Sequence, residues 1–304
     1  MNNELMYILW NPDLVAFHIG PLQVRWYSLC WLFGLSAAYM VVQWLFKDQG
    51  ITCRTMQVRD PKTGRQRKEE VNVFEPLFIY CFLGILIGAR LGHCLFYQPD
   101  YYLTSGRGFV EMLLPIHFTA DGSWHFTGYE GLASHGGTLG LILALWLYVR
   151  WSRLSLWQVL DNIAIATGIT AFFIRIGNLM NSEIIGRATD VPWAFIFERV
   201  DQLPRHPGQL YEALCYLLLF AIMLVLYGIE RGRVGETDRR RTVGTGWYFS
   251  FCLVFIFTAR FFIEYTKEVQ VSFEQGMTFD MGQLLSVPFV VAGAWCMTKA
   301  NSRK

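Results

Sequence analysis

Seven stretches of the chain, 24–46, 74–97, 132–150, 156–177, 208–228, 245–265 and 282–298, are apolar over the length a helix needs to cross a bilayer, roughly 17–25 residues. Hydrocarbon offers backbone N–H and C=O groups no water, so such segments must close their hydrogen bonds within a helix. The expected fold is an all-α polytopic membrane protein with about seven transmembrane helices. Composition agrees. Of 304 residues, 53% are hydrophobic and only 16% charged, where a soluble domain carries about 25% charged residues. The mean hydropathy is +0.30.

Lysine and arginine then set the orientation, because short cytoplasmic loops keep the positive charge. One side holds Lys47, Arg54, Arg59, Lys62, Arg65, Arg67 and Lys68, then Arg150 and Arg153, then Arg231, Arg233, Arg239, Arg240 and Arg241, and finally Lys299, Arg303 and Lys304. The other side holds Arg107, Arg187, Arg199, Arg205 and Lys267. This puts the N-terminus outside and the C-terminus inside. The basic insert between the first two spans reads as an inside-positive loop touching anionic lipid, not as a nucleic-acid surface.

Residues 1–23 lack a basic n-region and a clean apolar core, so no cleavable signal peptide is expected. Leu5–Trp10, with Phe17 and Ile19, reads as a short interfacial piece on the outer surface. None of the seven cysteines falls in an outer loop, so no disulfide framework is expected. No CxxC or His/Cys cluster points to a metal, and no cofactor is expected.

Two outer segments, about 98–131 and 179–207, are longer than connections need to be. The first is rich in aromatics (Tyr101, Tyr102, Trp124, Phe126, Tyr129), and the second contains the strand-like Trp193–Phe197. They read as a small cap on the outer face. Gly84, Gly88 and Gly92 recur every four residues in the second span, a smooth stripe for close helix contact. Arg90 and His93 in the same span are expected to face the interior.

Polar groups gather near the outer ends of several spans. Arg175 and Asn178 are three apart and share a helical face. They open the run Arg175-Ile-Gly-Asn-Leu-Met-Asn-Ser-Glu183-Ile-Ile-Gly186-Arg187, in a setting that penalises a central charge by roughly 2.5–3.5 kcal/mol. Asp161, fourteen residues earlier, is expected near that face one layer deeper. Arg260 and Glu264 are four apart and could pair. Glu212, one turn inside its span, needs a partner such as one of the arginines. Ser134-His135-Gly136-Gly137 opens the third span. Alone, such a histidine reads first as a cap or a satisfied interfacial group. Beside the other polar groups it is a candidate base, with two glycines giving a substrate room to approach.

These residues carry a resemblance. RIGNLMNSEIIGR (175–187) closely resembles the defining motif of prolipoprotein diacylglyceryl transferases. IGPLQVRWYSL (19–29), GARLGHCLFY (88–97), SHGGTLG (134–140), HPGQLYEA (206–213) and MGQLLSVP (281–288) are similar to further motifs of the family in the same order. The resemblance covers most of the chain. It implies a single integral membrane catalytic domain over 1–304, in the bacterial inner membrane, with seven helices, a small periplasmic head from the two outer segments, and a cytoplasmic basic insert at about 47–73. It implies that phosphatidylglycerol, drawn from the membrane lipids, donates its diacylglyceryl group to the lipobox cysteine of preprolipoproteins. Nucleic acid and metal have no part in this.

By the same resemblance, Tyr27, His135, Arg175, Asn178, Glu183, Gly186 and Arg260 fall on functional positions, and Asp161, Glu212 and Glu264 on further polar ones. His135, Arg175 and Arg260 are taken as catalytic. His135 would act as the thiol base, and Arg175 and Arg260 would meet the leaving phosphate with fixed forks of donors. Tyr27, Asn178, Glu183, Gly186, Arg187, Gly136, Gly137 and Glu264 form the expected substrate-binding set. Within it, Asn178 and Tyr27 would hold glycerol or ester oxygens, Gly186 would allow a tight turn, and Glu183 would orient an arginine. The chain departs from other members in its charged insert 54–70 and at Ile256, where some have a tyrosine. A transporter would line its helices with polar groups through their full depth. A metal-dependent alcohol phosphatidyltransferase would need clustered membrane aspartates, whereas Asp161 is the only aspartate inside a span.

Overall fold

The computed structural model describes residues 7–20, 22–59, 66–114, 116–119, 121–126, 131–233, 242–268 and 279–302. Leu5, Met6, Tyr129, Lys62, Arg65, Arg239, Arg240, Arg241, Arg303 and Lys304, used above, lie outside the described residues. In chain order the elements are β1 (Ile8–Trp10), β2 (Val15–Ile19), β3 (Leu22–Arg25), α1 (Trp26–Asp48), β4 (Cys53–Arg59), β5 (Gln66–Asn72), α2 (Phe74–Phe96), α3 (Pro99–Tyr102) and α4 (Gly106–Leu113). There follow β6 (Ile116–Phe118), β7 (Trp124–Phe126), α5 (Ser134–Ser152), α6 (Leu156–Asn181), β8 (Phe195–Phe197), β9 (Pro204–Arg205), α7 (Gly208–Arg233), α8 (Trp247–Glu264) and α9 (Met281–Asn301).

All seven apolar stretches are helical. Six of these helices, α1, α2, α6, α7, α8 and α9, are long and apolar enough to cross a membrane. Their outward sides are apolar too: Met40, Phe82, Val225 and Val291 are each about three-fifths exposed. A helix that is hydrophobic all round belongs in a core or in lipid, so the chain is a multi-pass membrane protein. The chain divides into two compact units, Met1–Leu45 with Trp157–Lys304, and Phe46–Leu156.

In the second unit, α2 and α5 pack through facing small residues. A Cβ on Gly88 would lie 2.4 Å from the Gly136 carbonyl oxygen, and one on Gly140 would lie 2.0 Å from that of Gly84. The expected stripe is therefore a backbone-to-backbone contact, of the kind that replaces hydrophobic burial inside lipid. It is fastened by a hydrogen bond from the Ala133 N–H to the Ala89 carbonyl, 2.9 Å. The insert expected as a charged loop is a hairpin of β4 and β5, paired from Cys53 with Asn72 to Arg59 with Gln66.

Arg90 is buried, as expected, and ties down the segment that follows α2. Its guanidinium donates to the carbonyls of Glu111 (2.6 Å) and Met112 (3.4 Å) and lies 5.0 Å from the Tyr102 ring centre. The Glu111 carboxylate, 2% exposed, accepts from the Tyr101 hydroxyl (2.6 Å), the Phe118 N–H (2.7 Å) and His117 Nδ1 (3.2 Å). Burial works to raise its pKa. The Phe118 N–H, the Tyr101 hydroxyl and His117 outweigh that and hold it below the ordinary range. The same bond to Glu111, then burial, pushes the Tyr101 hydroxyl up to about 12.

In the first unit, β1 runs parallel to β8, and β9 closes a three-stranded sheet. Residues 8–10, expected as an interfacial piece, are thus a strand. Its Trp10 indole donates to the Leu179 carbonyl at the end of α6, 2.9 Å. Asp161 sits elsewhere than expected. Fourteen residues of helix span about 21 Å, and the Asp161 carboxylate accepts from the N–H groups of Gly244 (2.8 Å), Gly246 (2.9 Å) and Phe249 (2.9 Å), capping the start of α8. Glu230 on α7 holds the same turn through the Thr242 N–H and the Tyr248 hydroxyl. Ile256 packs against an apolar cluster that includes Leu219, Met223 and Tyr248.

These contacts can be tested by stability. Gly88→Val should cost at least about 1–3 kcal/mol and lower the melting temperature in detergent, whereas Gly228→Ala, with nothing within 4 Å of its new methyl, should hold or raise it. Equal melting for both would refute the packing account. The Glu111 carboxylate, with its depressed pKa, stabilises the 101–118 segment fully above the ordinary carboxyl pKa of about 4.3, and that stabilisation is lost as pH falls through its lower native value. The protection of amides in this segment, taken relative to their intrinsic exchange rates, should hold from pH 7 to about 5 and fall once the pH drops below the ordinary carboxyl pKa of about 4.3; Glu111→Gln should lower it already at pH 7.

Candidate functional site

The site grows from the end of α6. The helix runs past the expected boundary to Asn181 and stops because Ser182 and Ile184 take left-handed backbone angles, φ 56° and 58°. For a β-branched residue this is a strained conformation. It is held from several sides: Glu183 N–H to the Asn178 carbonyl (3.0 Å), Gly186 N–H to that of His206 (2.9 Å), and Arg187 N–H to that of Thr266 (2.9 Å). The Gln209 carboxamide also donates to the Glu183 carbonyl. Gly186 lies between two chains rather than in a tight turn. A Cβ there would stand 2.5 Å from the His206 carbonyl oxygen and 2.6 Å from that of Thr266.

Side chains on α6, α7 and the end of α8 then form a ladder of charges. Arg175 Nε pairs with Glu212 Oε2, and Lys267 Nζ lies 2.8 Å from Glu212 Oε1 and 3.0 Å from Glu264 Oε2. Glu212 is 0% exposed and Lys267 5%. Neither Glu212 oxygen makes an aligned hydrogen bond, so these two contacts are Coulombic pairings in a dry setting. The arginine that Glu212 needed is Arg175, and Lys267 is a second cation beside it.

Arg175 Nη1 also donates to Asn178 Oδ1 (3.1 Å), and Asn178 Nδ2 donates to Glu183 Oε2 (3.1 Å). Asn181 donates to the other Glu183 oxygen, 3.0 Å. Glu183 is thus linked to the arginine through Asn178. Asn178 is buried with both ends of its carboxamide engaged, so it acts on Arg175 before it can act on a ligand. Arg260 stands one turn before Glu264 on α8, and Tyr216 feels the charges of Glu212, Arg175 and Arg260.

Arg260 and Glu264 do not pair. Glu264 turns to Lys267, and α9 makes room for it: a Cβ on Gly282 would lie 2.5 Å from Glu264 Oε1. Among the described residues, Arg260 has no carboxylate partner. Tyr27, half-buried, packs its ring against Gly177, where a Cβ would meet it at 3.0 Å. Arg187 is exposed.

Beside this ladder, the Trp193 indole donates to the Tyr211 hydroxyl (2.8 Å), which lies 3.0 Å from His206 Nδ1. Burial, then the Arg187 charge, depresses the His206 pKa. Arg205 binds Asp201 at 2.5 Å and Glu268 at 2.9 Å, and its donors hold the Asp201 carboxyl below the usual range.

His135, Gly136 and Gly137 belong to the other unit. His135 is exposed on the first turn of α5, while both glycines are buried against α2. The structure thus gathers Tyr27, Arg175, Asn178, Glu183, Gly186, Arg260 and Glu264 in one unit. Sequence reasoning missed Lys267, Gln209 and Gly282. Lys267 stands three residues after Glu264, the spacing of a helical ion pair, and that was its one local signal.

Membrane-crossing helices with a buried charge ladder at one end define a multi-pass membrane protein with a polar site. The sequence profile of the prolipoprotein diacylglyceryl transferases matches residues 14–299. The chain is 51% identical over 304 residues to a Bacteroides fragilis phosphatidylglycerol–prolipoprotein diacylglyceryl transferase, covering 100% of this chain and 99% of the relative. It is 39% identical over 308 residues to the Porphyromonas gingivalis enzyme of that name (97% and 95% covered) and 36% over 299 residues to that of Tolumonas auensis (98% and 99%). The chain belongs to the prolipoprotein diacylglyceryl transferase family.

Removing the central carboxylate should expose its importance. Glu212→Ala leaves Arg175 and Lys267 buried without their shared counter-charge, a loss of about 3–5 kcal/mol. Unchanged thermal unfolding in detergent would contradict the ladder.

Proposed function

We propose that this chain is an enzyme of bacterial lipoprotein maturation. It transfers the sn-1,2-diacylglyceryl group of phosphatidylglycerol to the lipobox cysteine of preprolipoproteins, in the inner membrane and on its periplasmic side. The single observation that supports this best is the charge ladder, which holds Arg175 in place and leaves Arg260 without a carboxylate partner among the described residues. An unmatched guanidinium in a dry site is a ligand for phosphate.

The reaction is a displacement at carbon. The cysteine sulfur loses its proton and forms a C–S bond to the glycerol carbon, while the C–O bond to phosphate breaks and its electron pair leaves on glycerol phosphate. A thiol of pKa about 8.5 is mostly protonated at neutral pH. His135, exposed at the start of α5, is the base proposed to take that proton. Negative charge grows on the phosphate oxygen as the bond breaks. Arg260 meets it, with Arg175 beside it, whose five N–H donors exceed those its protein partners occupy. Tyr27 and the exposed Arg187 complete the substrate-binding surface; Gly136 and Gly137, expected in it, instead serve the packing of α5 on α2.

The chain works as one catalytic domain with seven spans, α5 being the seventh; its 19 residues extend about 28 Å, close to the roughly 30 Å of a hydrocarbon core. The N-terminus lies outside and the C-terminus inside, in line with the basic residues of the β4–β5 hairpin, so the segments that follow α2 and α6 fall on the periplasmic side.

Purified protein mixed with phosphatidylglycerol and a lipobox peptide should add the mass of one diacylglyceryl group to the peptide; no gain, with a control enzyme active, would overturn the proposal. Arg175→Ala should cost on the order of 100- to 1000-fold or more in rate in a protein that stays folded, and Arg175→Lys should also be poor, because a point charge does not replace a fork. His135→Ala turning over at a near wild-type rate would remove His135 as the base.

A further inference from the structure

Lys267 lies three residues beyond the last residue of α8, and its ammonium is almost wholly withdrawn from solvent. Its backbone bridges Gly186, which fixes where the side chain starts. From there Nζ reaches two carboxylates, Glu212 at 2.8 Å and Glu264 at 3.0 Å. A buried ammonium is costly unless paired, so the pairing accounts for Lys267 itself. It does not account for Arg260.

Arg260 and Glu264 stand four residues apart on one helix, the spacing at which opposite charges join across a turn. Glu264 instead has one oxygen on Lys267 and the other against the open face of Gly282. Glu212, the other carboxylate within reach of this cluster, is shared between Arg175 and Lys267. Glu183 is taken by the carboxamides of Asn178 and Asn181. Arg175, Arg260 and Lys267 therefore share two carboxylates, and the arrangement leaves the surplus positive charge on Arg260. A phosphodiester carries one negative charge.

We propose that Lys267 is a positioning residue for the lipid phosphate: by holding Glu264 and Glu212 it keeps Arg260 uncommitted and available to the phosphodiester. This rests on the role given above to Arg260. Without the ammonium, Glu264 is free to swing to its neighbour four residues back and neutralise it.

The test uses the full-length protein in nanodiscs with two readouts, phosphatidylglycerol binding and transfer to a lipobox peptide. Lys267→Met should weaken binding at least about tenfold, raising KM for the lipid and lowering kcat as well, because Arg260 also meets the charge that grows as the bond breaks. Lys267→Arg should stay within about threefold of the parent on both readouts. The decisive variant is Lys267→Met combined with Glu264→Gln, which removes the carboxylate that would claim Arg260. It should regain most of the lost binding. Unchanged binding in Lys267→Met, or a double variant that binds no better than Lys267→Met, would overturn the proposal. If binding follows the expected order but the parent protein makes no lipidated peptide, the proposed reaction fails and the role of Lys267 in phosphate binding stands.

Discussion

A single carboxylate, that of Glu212, sets the terms for the first unit. Buried in an apolar helix, an anion costs several kcal/mol even after relaxation, and it is retained only if cations reach it. Arg175 comes from α6 and Lys267 from beyond α8. Gly186 lets the chains of His206 and Thr266 close on either side of it, and Gly282 leaves space for the Glu264 carboxylate. The strained turn at Ser182 and Ile184 carries the chain from the helix to that closure. These glycines and this strain are consequences of where the charges must meet.

The second unit solves its own charge problem with backbone rather than carboxylate. Arg90 is satisfied by the carbonyls of Glu111 and Met112 and by the face of Tyr102, and so anchors the segment after α2. The Glu111 side chain is thereby free to gather Tyr101, His117 and Phe118. In both units, charge that would be expensive in lipid is converted into tertiary structure. Asp161 does the same at the far end of α6, where it caps α8. The contrast isolates Arg260, whose positive charge has no such use among the described residues.

Legibility from sequence followed the range of the interactions. The seven helices were readable because hydropathy over some twenty residues is a local property, and the glycine stripe on α2 because its period is four. The Arg175–Asn178 contact was readable for the same reason. The partner of Glu212 could be named by type, but Lys267 lies 55 positions away in sequence, and no local rule joins them. A local rule even misdirected: spacing joined Glu264 to Arg260, and a non-local glycine and lysine separated them. Strand β1 was also out of reach, since it pairs with β8 far along the chain, and three residues offer no alternation to detect. The β4–β5 hairpin was hidden by its charge, which suggested a loop.

If the charge ladder serves phosphate binding, Glu212 acts on the lipid phosphate through Arg175. This coupling is tested most directly by a double-mutant cycle of Glu212→Gln and Arg175→Lys, read as kcat/KM for phosphatidylglycerol in variants shown to be folded. The account predicts strong non-additivity, the double variant being at least about tenfold more active than the product of the single losses would give. Losses that simply multiply would mean the two side chains act independently, and would contradict it.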